Sequence, residues 1–169
     1  VKLGFQSADT MQFQNLHMEV GNCPSLDYSD LSRDAWYHQC VDYALENDLM
    51  TGMGGGIFSP NGTLTRAEAV TVLWKLENRP QVSYQLNFED VAEGEWFTEM
   101  VRWAVSKKIM AGNGDGTFSP NSPITREQLA AILYRYAAYK KYDVSAKGNL
   151  SSFTDASKIS GWANEAMQW

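Results

Sequence analysis

The chain has 169 residues, a mass of 19.0 kDa and a hydrophobic content of 44%, so it can build a packed core and is not expected to be disordered. Its net charge of −6 and pI of 4.9 argue against a nucleic-acid partner, because binding a phosphate backbone needs a surplus of lysine and arginine. No apolar run approaches the ~20 residues of a membrane span. The chain begins at Val1, so we expect it to be a piece of a longer protein.

Residues 1–25 match no other part of the chain. Their apolar residues follow a mixed period that does not distinguish a helix from a strand, and the stretch from Gly21 to Pro24 is typical of a turn. The segment is either the end of a preceding domain or an arm that packs on the residues after it. Its sequence leaves both open.

The first unit comprises residues 26–82. A helix is predicted over residues 35–50, with Asp34 as its N-cap. Its apolar residues recur at helical spacing and form one stripe, and Asp42 is expected to face away from that stripe. The members of the stripe are Trp36, Cys40, Val41, Ala44, Leu45 and Leu49. Glycines from Gly52 onward end the helix, because glycine adopts the positive φ that helix ends commonly require.

A turn and a second helix complete the first unit. The turn Phe58-Ser59-Pro60-Asn61 contains a proline, which is incompatible with a helix interior, and is followed by glycine, which favours a tight reversal. Thr65 and Glu68 then have the spacing of a capping box. The sequence therefore predicts an amphipathic helix that begins at Arg66.

The first unit is repeated. Residues 83–145 form a second unit at an offset of 60 residues (126 − 66 = 60), in which Thr125, Arg126 and Gln128 repeat the capping box and its arginine. The aligned pairs include Asp30/Asp90, Trp36/Trp96, Gly52/Gly112 and Leu73/Leu133. Residues 146–169 form a partial third unit without a third glycine loop or Thr-Arg pair. Turn and cap residues preserved at a fixed period predict an all-α fold of tandem helix-loop-helix repeats.

The two cysteines, Cys23 and Cys40, are too few for a disulfide framework or a metal knuckle. They could pair in an oxidising compartment. The favoured interpretation makes Cys40 a buried apolar residue, because Met100 holds the same place in the second unit.

Neither an enzyme nor a metal site is expected. His17 and His38 have no repeated nucleophile or carboxylate around them, and His38 is predicted to be an exposed helix residue. The glycine-rich stretch Gly112–Gly116 lacks the several acidic oxygens of a calcium loop, and its counterpart in the first unit has no side-chain oxygen at all. A plain glycine turn is the better interpretation.

These motifs resemble the S-layer homology domain family, the modules that fix surface proteins to bacterial cell walls. The resemblance covers residues 28–169 as two complete repeats and one partial repeat. It is carried in the second unit by Phe88-x-Asp90-Val91, Trp96-Phe97, Val101-x-x-Ala104, Ile109-Met110-x-Gly112 and Gly114-x-Gly116-x-Phe118-x-Pro120-Asn121, followed by the Thr-Arg helix start.

The resemblance implies both a fold and a function. Three repeats would form a pseudo-threefold helical bundle, whose grooves bind a secondary cell-wall polysaccharide that carries a pyruvate ketal on N-acetylmannosamine. The protein would then be extracellular, non-catalytic and without a cofactor, and would anchor a larger protein at the bacterial cell surface. Arg66 and Arg126 would be the main ligand residues. Because the third unit lacks its motif, one groove is either missing or completed by another chain or a further segment.

The residue types suit an anionic sugar. Each arginine is predicted at a first helical position, where free backbone N–H groups and the helix dipole favour an anion, and a guanidinium matches a carboxylate. Tryptophan faces can stack on sugar rings, and glycines allow close approach of the backbone. The remaining candidate carbohydrate-binding residues are Trp36, Trp96, Trp162, Gly54, Gly114, Asp30 and Asp90. For the two aspartates, structural hydrogen bonds to a turn are the favoured interpretation, and the tryptophans could equally be core residues.

Two further classes of function compete with glycan anchoring. The runner-up is a structural or protein-interaction repeat whose grooves pack against a partner chain. A glycan-processing enzyme would need an acidic pair that faces a cleft, and the sequence shows none.

Overall fold

The computed structural model describes residues 23–169, which contain five α-helices, two short 3₁₀-helices and no β-sheet. The α-helices are α1 (His38–Glu46), α2 (Arg66–Leu76), α3 (Thr98–Ser106), α4 (Arg126–Tyr139) and α5 (Asn164–Gln168), and the 3₁₀-helices are Pro24–Asp27 and Ala156–Lys158. The predicted all-α fold is thereby confirmed. The predictions for the first 22 residues lie outside the described residues. None of the helices between residues 23 and 169 has the length and hydropathy that a membrane span requires.

The hydrophobic core lies across the boundary between the first and second units. It joins α2 to α3 and α4, with Trp103 and Phe118 fully buried at its centre. Its buried members are Ala67, Val70, Leu73, Trp74, Val91, Phe97, Val101, Trp103, Ala104, Ile109, Met110, Phe118 and Ile132. Burial of one large apolar side chain is worth about 1.5–3 kcal/mol. Because the core is shared, the packing of each unit depends on the other.

Both predicted capping boxes are present. The Thr65 hydroxyl accepts the N–H of Glu68, whose carboxylate accepts the N–H of Thr65, and Thr125 and Gln128 make the same reciprocal pair at α4. The two arginines therefore occupy the first position of α2 and α4, as the sequence predicts.

Asp30 and Asp90 hold the turns that follow the glycine loops. The Asp30 carboxylate accepts the N–H groups of Phe58 (2.9 Å) and Ser59 (2.6 Å). Asp90 accepts the corresponding N–H groups of the second unit at 2.8 and 2.7 Å. The hydrogen bond from Phe58, followed by that from Ser59, keeps the pKa of Asp30 below its usual value against the opposing effect of desolvation. This geometry agrees with the structural interpretation of the aspartates.

Glycine is required at one position of each loop by close packing. A Cβ added to Gly112 would lie 2.3 Å from a ring carbon of Phe88, and one added to Gly52 would lie 2.2 Å from the ring of Tyr28. In the second loop, Asp115 accepts the N–H and hydroxyl of Thr117. Its carboxylate is thus engaged within the turn.

The first helix differs from its prediction in length and capping. It runs over His38–Glu46 instead of residues 35–50, because residues 32–37 form turns before the helix begins. Asp34 does not cap it. The N-cap is Tyr37, which makes no side-chain cap hydrogen bond, whereas the N–H of Asp34 bonds the hydroxyl of Ser32.

The buried face of α1 also differs from the predicted stripe. Asp42 is fully buried, His38 is largely buried with 15% of its side chain exposed, and Cys40 is exposed. The predictions of an outward Asp42, an exposed His38 and a buried Cys40 are therefore wrong. The reason is that α1 packs against the 3₁₀-helix Pro24–Asp27, which covers the side of α1 that carries Asp42. Both cysteines are free.

Candidate functional site

A cleft of about 350 Å³ lies where the three units meet, and we call it the inter-unit groove. One wall is the second glycine loop, another is one face of α4, and Trp162 of the third unit lies on the remaining side. Its lining residues are Arg66, Met110, Ala111, Gly112, Asn113, Gln128, Ala131, Ile132, Arg135 and Trp162. The groove therefore combines an apolar floor with guanidinium, amide and indole groups.

The wall formed by α4 follows from helix periodicity. Gln128, Ala131, Ile132 and Arg135 recur at i, i+3, i+4 and i+7, which places them on one face. The small side chain of Ala131 leaves room between the polar residues at either end of this row. The Gln128 side-chain carbonyl is occupied by the capping box, so its amide N–H groups are the ones left to donate into the groove.

Arg66 reaches across from the first unit into the second. It is 5% exposed, its Nε donates to the carbonyl of Phe118 at 2.8 Å, and its Nη2 donates to the carbonyl of Ala111 at 3.1 Å. Its guanidinium carbon also lies 4.9 Å from the ring centroid of Phe118. Desolvation lowers the pKa of Arg66 and the charge of Asp90 opposes that change. Arg66 thus fastens the two units together and forms part of the groove lining.

The expected anion site at the start of α2 is occupied by the protein itself. The backbone N–H of Arg66 donates to the carbonyl of Ser122 at 3.0 Å, and that of Ala67 donates to the carbonyl of Pro120 at 2.9 Å. The next N–H is taken by the hydroxyl of Thr65. The prediction that free N–H groups at this helix start would hold the ligand is therefore wrong for α2, because the second unit's turn fills their place.

Arg126 has a different environment. It is exposed, it does not line the groove, and its guanidinium makes no hydrogen bond or ion pair with any residue from 23 to 169. Within the same range, the backbone N–H groups of Arg126 and Glu127 are also without a partner. The two arginines that the repeat makes equivalent are therefore not brought to one site.

Of the three candidate tryptophans, only Trp162 lines the inter-unit groove, where it is 54% exposed. Trp96 is 55% exposed and packs edge-on against Phe97, and Trp36 is 91% exposed and packs edge-on against Tyr37. All three lie at the surface rather than in the core. Each ring therefore offers an accessible apolar face.

The remaining candidates lie outside the groove. Gly54 and Gly114 have φ values of +93° and +92°, and a Cβ on either would meet nothing within 4 Å. Their glycine identity is explained by this backbone conformation, which other residues rarely adopt. Asp30 and Asp90 are engaged by the turns described above.

Arg135 is the groove residue that the sequence interpretation missed. It is partly buried and makes no hydrogen bond or ion pair in the described part of the chain. A comparison of the two units could have identified Arg135. Its counterpart Lys75 pairs with Asp48 at 3.2 Å, whereas the position equivalent to Asp48 in the second unit is Lys108. Because the usual acidic partner is replaced by a second cation, Arg135 has no ion-pair partner in the described part of the chain.

An all-α tandem repeat with a cationic, aromatic groove between its units defines a class of helical repeat modules. Comparison with known proteins identifies the class more closely. The family model for the S-layer homology domain matches residues 27–70 and 87–130. Since these matches cover more than half of the chain, the protein belongs to the S-layer homology domain family.

The curated relatives include surface proteins and enzymes. The chain is 31% identical over 140 residues to an S-layer protein of Bacillus thuringiensis subsp. finitimus, covering 82% of this chain and 16% of the relative. It is 31% identical over 92 residues to a cellulosome-anchoring protein of Acetivibrio thermocellus (52% and 21%). It is 29% identical over 147 residues to the exoglucanase XynX of Acetivibrio thermocellus (85% and 13%). The chain thus spans about a fifth or less of each of these relatives.

The family and its surface-layer members give this chain a cell-surface location, outside the cell, and an anchoring role. The S-layer homology domain is itself a non-catalytic anchoring module. The short coverage of the exoglucanase means that its activity is not transferred to this chain.

Proposed function

We propose that the inter-unit groove binds an anionic secondary cell-wall polysaccharide without covalent chemistry, and so anchors a larger protein to the cell wall. The observation that carries the proposal is Arg135. It is an unneutralised guanidinium on the wall of a cleft, beside an accessible indole, in a protein whose net charge is −6. A single placed cation can select an acidic sugar where the overall field would not attract one.

The groove suggests a role for each group. The planar fork of Arg135 matches a carboxylate, and the spare N–H groups of Arg66 and Gln128 can donate to the same ligand. The face of Trp162 suits a sugar ring. A pyruvate ketal supplies one carboxylate on a compact ring, so we propose pyruvylated N-acetylmannosamine, which the family resemblance implies, as the group bound here.

Arg126 is proposed to serve a different groove. By the repeat, its partners would be carbonyls of a third glycine loop, just as Arg66 bonds carbonyls of the second. No such loop exists in this sequence, so another chain or a further segment would supply it. Glycan affinity per groove is expected to be modest, and several grooves on one polymer would multiply it.

A retention assay tests the proposal with a matched pair of variants. Purified pyruvylated wall polymer on a solid support should retain the wild-type chain, and R135Q should reduce retention at least about tenfold because it removes a charge-assisted pair. R33Q removes an arginine charge from an exposed position outside the groove and should leave retention unchanged.

Polymer from which the pyruvate has been removed separates the specific proposal from a general one. Loss of retention on that polymer supports the carboxylate as the group recognised. If R135Q binds as well as the wild type while both remain folded by circular dichroism, the groove is not the glycan site. In that case the runner-up function, packing against a protein partner, takes its place.

A further inference from the structure

Three side chains with metal-binding atoms converge between the 3₁₀-helix Pro24–Asp27 and α1. The Cys23 Sγ lies 3.1 Å from the His38 Nε2 and 3.4 Å from the Asp42 Oδ2, and the last two atoms are 3.0 Å apart. None of these three residues lines the inter-unit groove, so the cluster takes no part in the proposed glycan site.

Two local features of the fold build this cluster. His38 and Asp42 are four residues apart on α1, so both project from the same face. Cys23 directly precedes the 3₁₀-helix, whose residue Ser25 donates its backbone N–H to the Asp42 Oδ1 at 2.9 Å. That bond fixes the buried carboxylate with its other oxygen turned toward Cys23 and His38. An outer hydrogen bond that orients a ligand in this way is common at metal sites.

A catalytic relay does not explain the geometry. A cysteine–histidine–carboxylate relay uses both ring nitrogens, one toward the thiol and the other toward the carboxylate. Here both neighbours approach the same nitrogen, Nε2. One nitrogen carries either one hydrogen or one lone pair, so it cannot serve both neighbours well. Three ligand atoms within 3.4 Å of one another are close enough to bind a single metal ion.

The distances and donor types favour zinc. With bond lengths of roughly 2.0–2.3 Å and tetrahedral angles, ligand atoms around Zn²⁺ lie about 3.4–3.6 Å apart. The observed separations of 3.0 to 3.4 Å need to widen by only a few tenths of an ångström. Thiolate, imidazole and carboxylate are the three donors that zinc accepts, whereas calcium and magnesium prefer oxygen alone.

We propose that Cys23, His38 and Asp42 bind one Zn²⁺ ion, with water at the fourth position. The site is particular to the first unit, because the second unit has Ser83, Thr98 and Arg102 at the equivalent positions. In the second unit Arg102 ties the segment before α3 to that helix by donating to the carbonyl of Tyr84 at 2.6 Å. The zinc site performs the same task at the start of the first unit. It fastens the segment before α1 to the helix.

Metal titration of the full 169-residue chain, kept reduced and freed of metal with a chelator, tests the proposal. Calorimetry should show one Zn²⁺ per chain. Co²⁺, used as a spectroscopic probe, should give the near-ultraviolet thiolate-to-cobalt absorption band. C23S should abolish that band and weaken zinc binding by more than the roughly 10–100-fold that loss of an outer hydrogen bond costs.

C40S is the matched control, because it removes the other, exposed thiol of the chain. It should leave both the band and the affinity unchanged. H38Q provides a second ligand variant at a partly exposed side chain and should also weaken zinc binding, with its fold checked by circular dichroism. Absence of zinc binding by the wild type, or an equal loss in C40S and C23S, would overturn the proposal and leave the cluster as a hydrogen-bonded packing contact.

Discussion

At the start of α2, Arg66 is buried and bonded to two carbonyls of the second unit, whereas at the start of α4 the equivalent Arg126 is exposed. The two helix starts lie one repeat apart (126 − 66 = 60 residues) and have the same capping box. The local pattern therefore determines where each helix begins. What the arginine does afterwards depends on whether a following unit supplies a glycine loop for it to bind.

The difference extends to the backbone. The first two N–H groups of α2 donate to carbonyls of Pro120 and Ser122, while those of α4 have no partner among residues 23–169. An arginine of the Thr-Arg pair therefore acts first as a fastener between successive units. It reaches a groove between two units only where the following unit supplies a glycine loop.

The largest expected effect on the free energy of unfolding comes from removing Arg66, which links the two units. R66A should lower the free energy of unfolding by about 2–3 kcal/mol, because the buried carbonyl of Phe118 loses its donor, at a cost of roughly 1–3 kcal/mol, and the partly buried bond to the Ala111 carbonyl is lost as well. R126A should change it by less than ~0.5 kcal/mol, as surface substitutions usually do. Urea unfolding of both variants measures the contrast. Equal midpoints for the two would mean that the junction is not held by Arg66.

A smaller effect is expected from the caps themselves. T65A and T125A should each cost about 1 kcal/mol, since both remove a capping hydroxyl. Fraying should differ, because two backbone N–H groups in the first turn of α2 donate to the second unit's turn, whereas among residues 23–169 the first turn of α4 is tied to the third unit only through the Glu127 side chain, which accepts from Ser160. Amide exchange at the first turn of α4 should accelerate more in T125A than the first turn of α2 does in T65A. The reverse order would contradict the comparison.

Features set by neighbours in sequence could be predicted. The capping boxes depend on residues three apart, and the glycine loops depend on turn chemistry that the repeat shows twice. The burial of Arg66 could not be predicted in this way, because its partners lie 45 and 52 residues further along the chain. Which N–H groups of α2 would be free was equally a question of packing between units.

Asp42 and Arg135 show two different reasons for missed residues. The carboxylate of Asp42 is buried because Ser25, seventeen residues earlier, bonds to it, and no periodicity within α1 contains that information. For Arg135 the information was present in the repeat. The first unit has an acidic partner at Asp48 and the second has Lys108 in its place, so comparing the copies for lost partners would have exposed an unneutralised cation.

The smallest effect concerns the other end of the α2–α4 junction. There the carboxylate of Glu77 accepts hydrogen bonds from the Tyr136 hydroxyl at 2.6 Å and the Lys140 Nζ at 2.8 Å. Burial alone would raise the pKa of Glu77, but the bonds from Lys140 and Tyr136 outweigh it and hold the pKa below the ordinary 4.5. A carboxylate with a lowered folded pKa contributes stability that is present above its unfolded pKa and is lost as the pH falls through the folded value.

E77Q should therefore lower the free energy of unfolding by about 0.5–1 kcal/mol at pH 7, an amount discounted for partial exposure. The difference in this free energy between E77Q and the wild type should shrink below about pH 4.5. Urea unfolding across this pH range measures it. A difference that stayed constant with pH would assign the contact to packing rather than to charge, and would leave Arg66 as the main polar fastener between the two units.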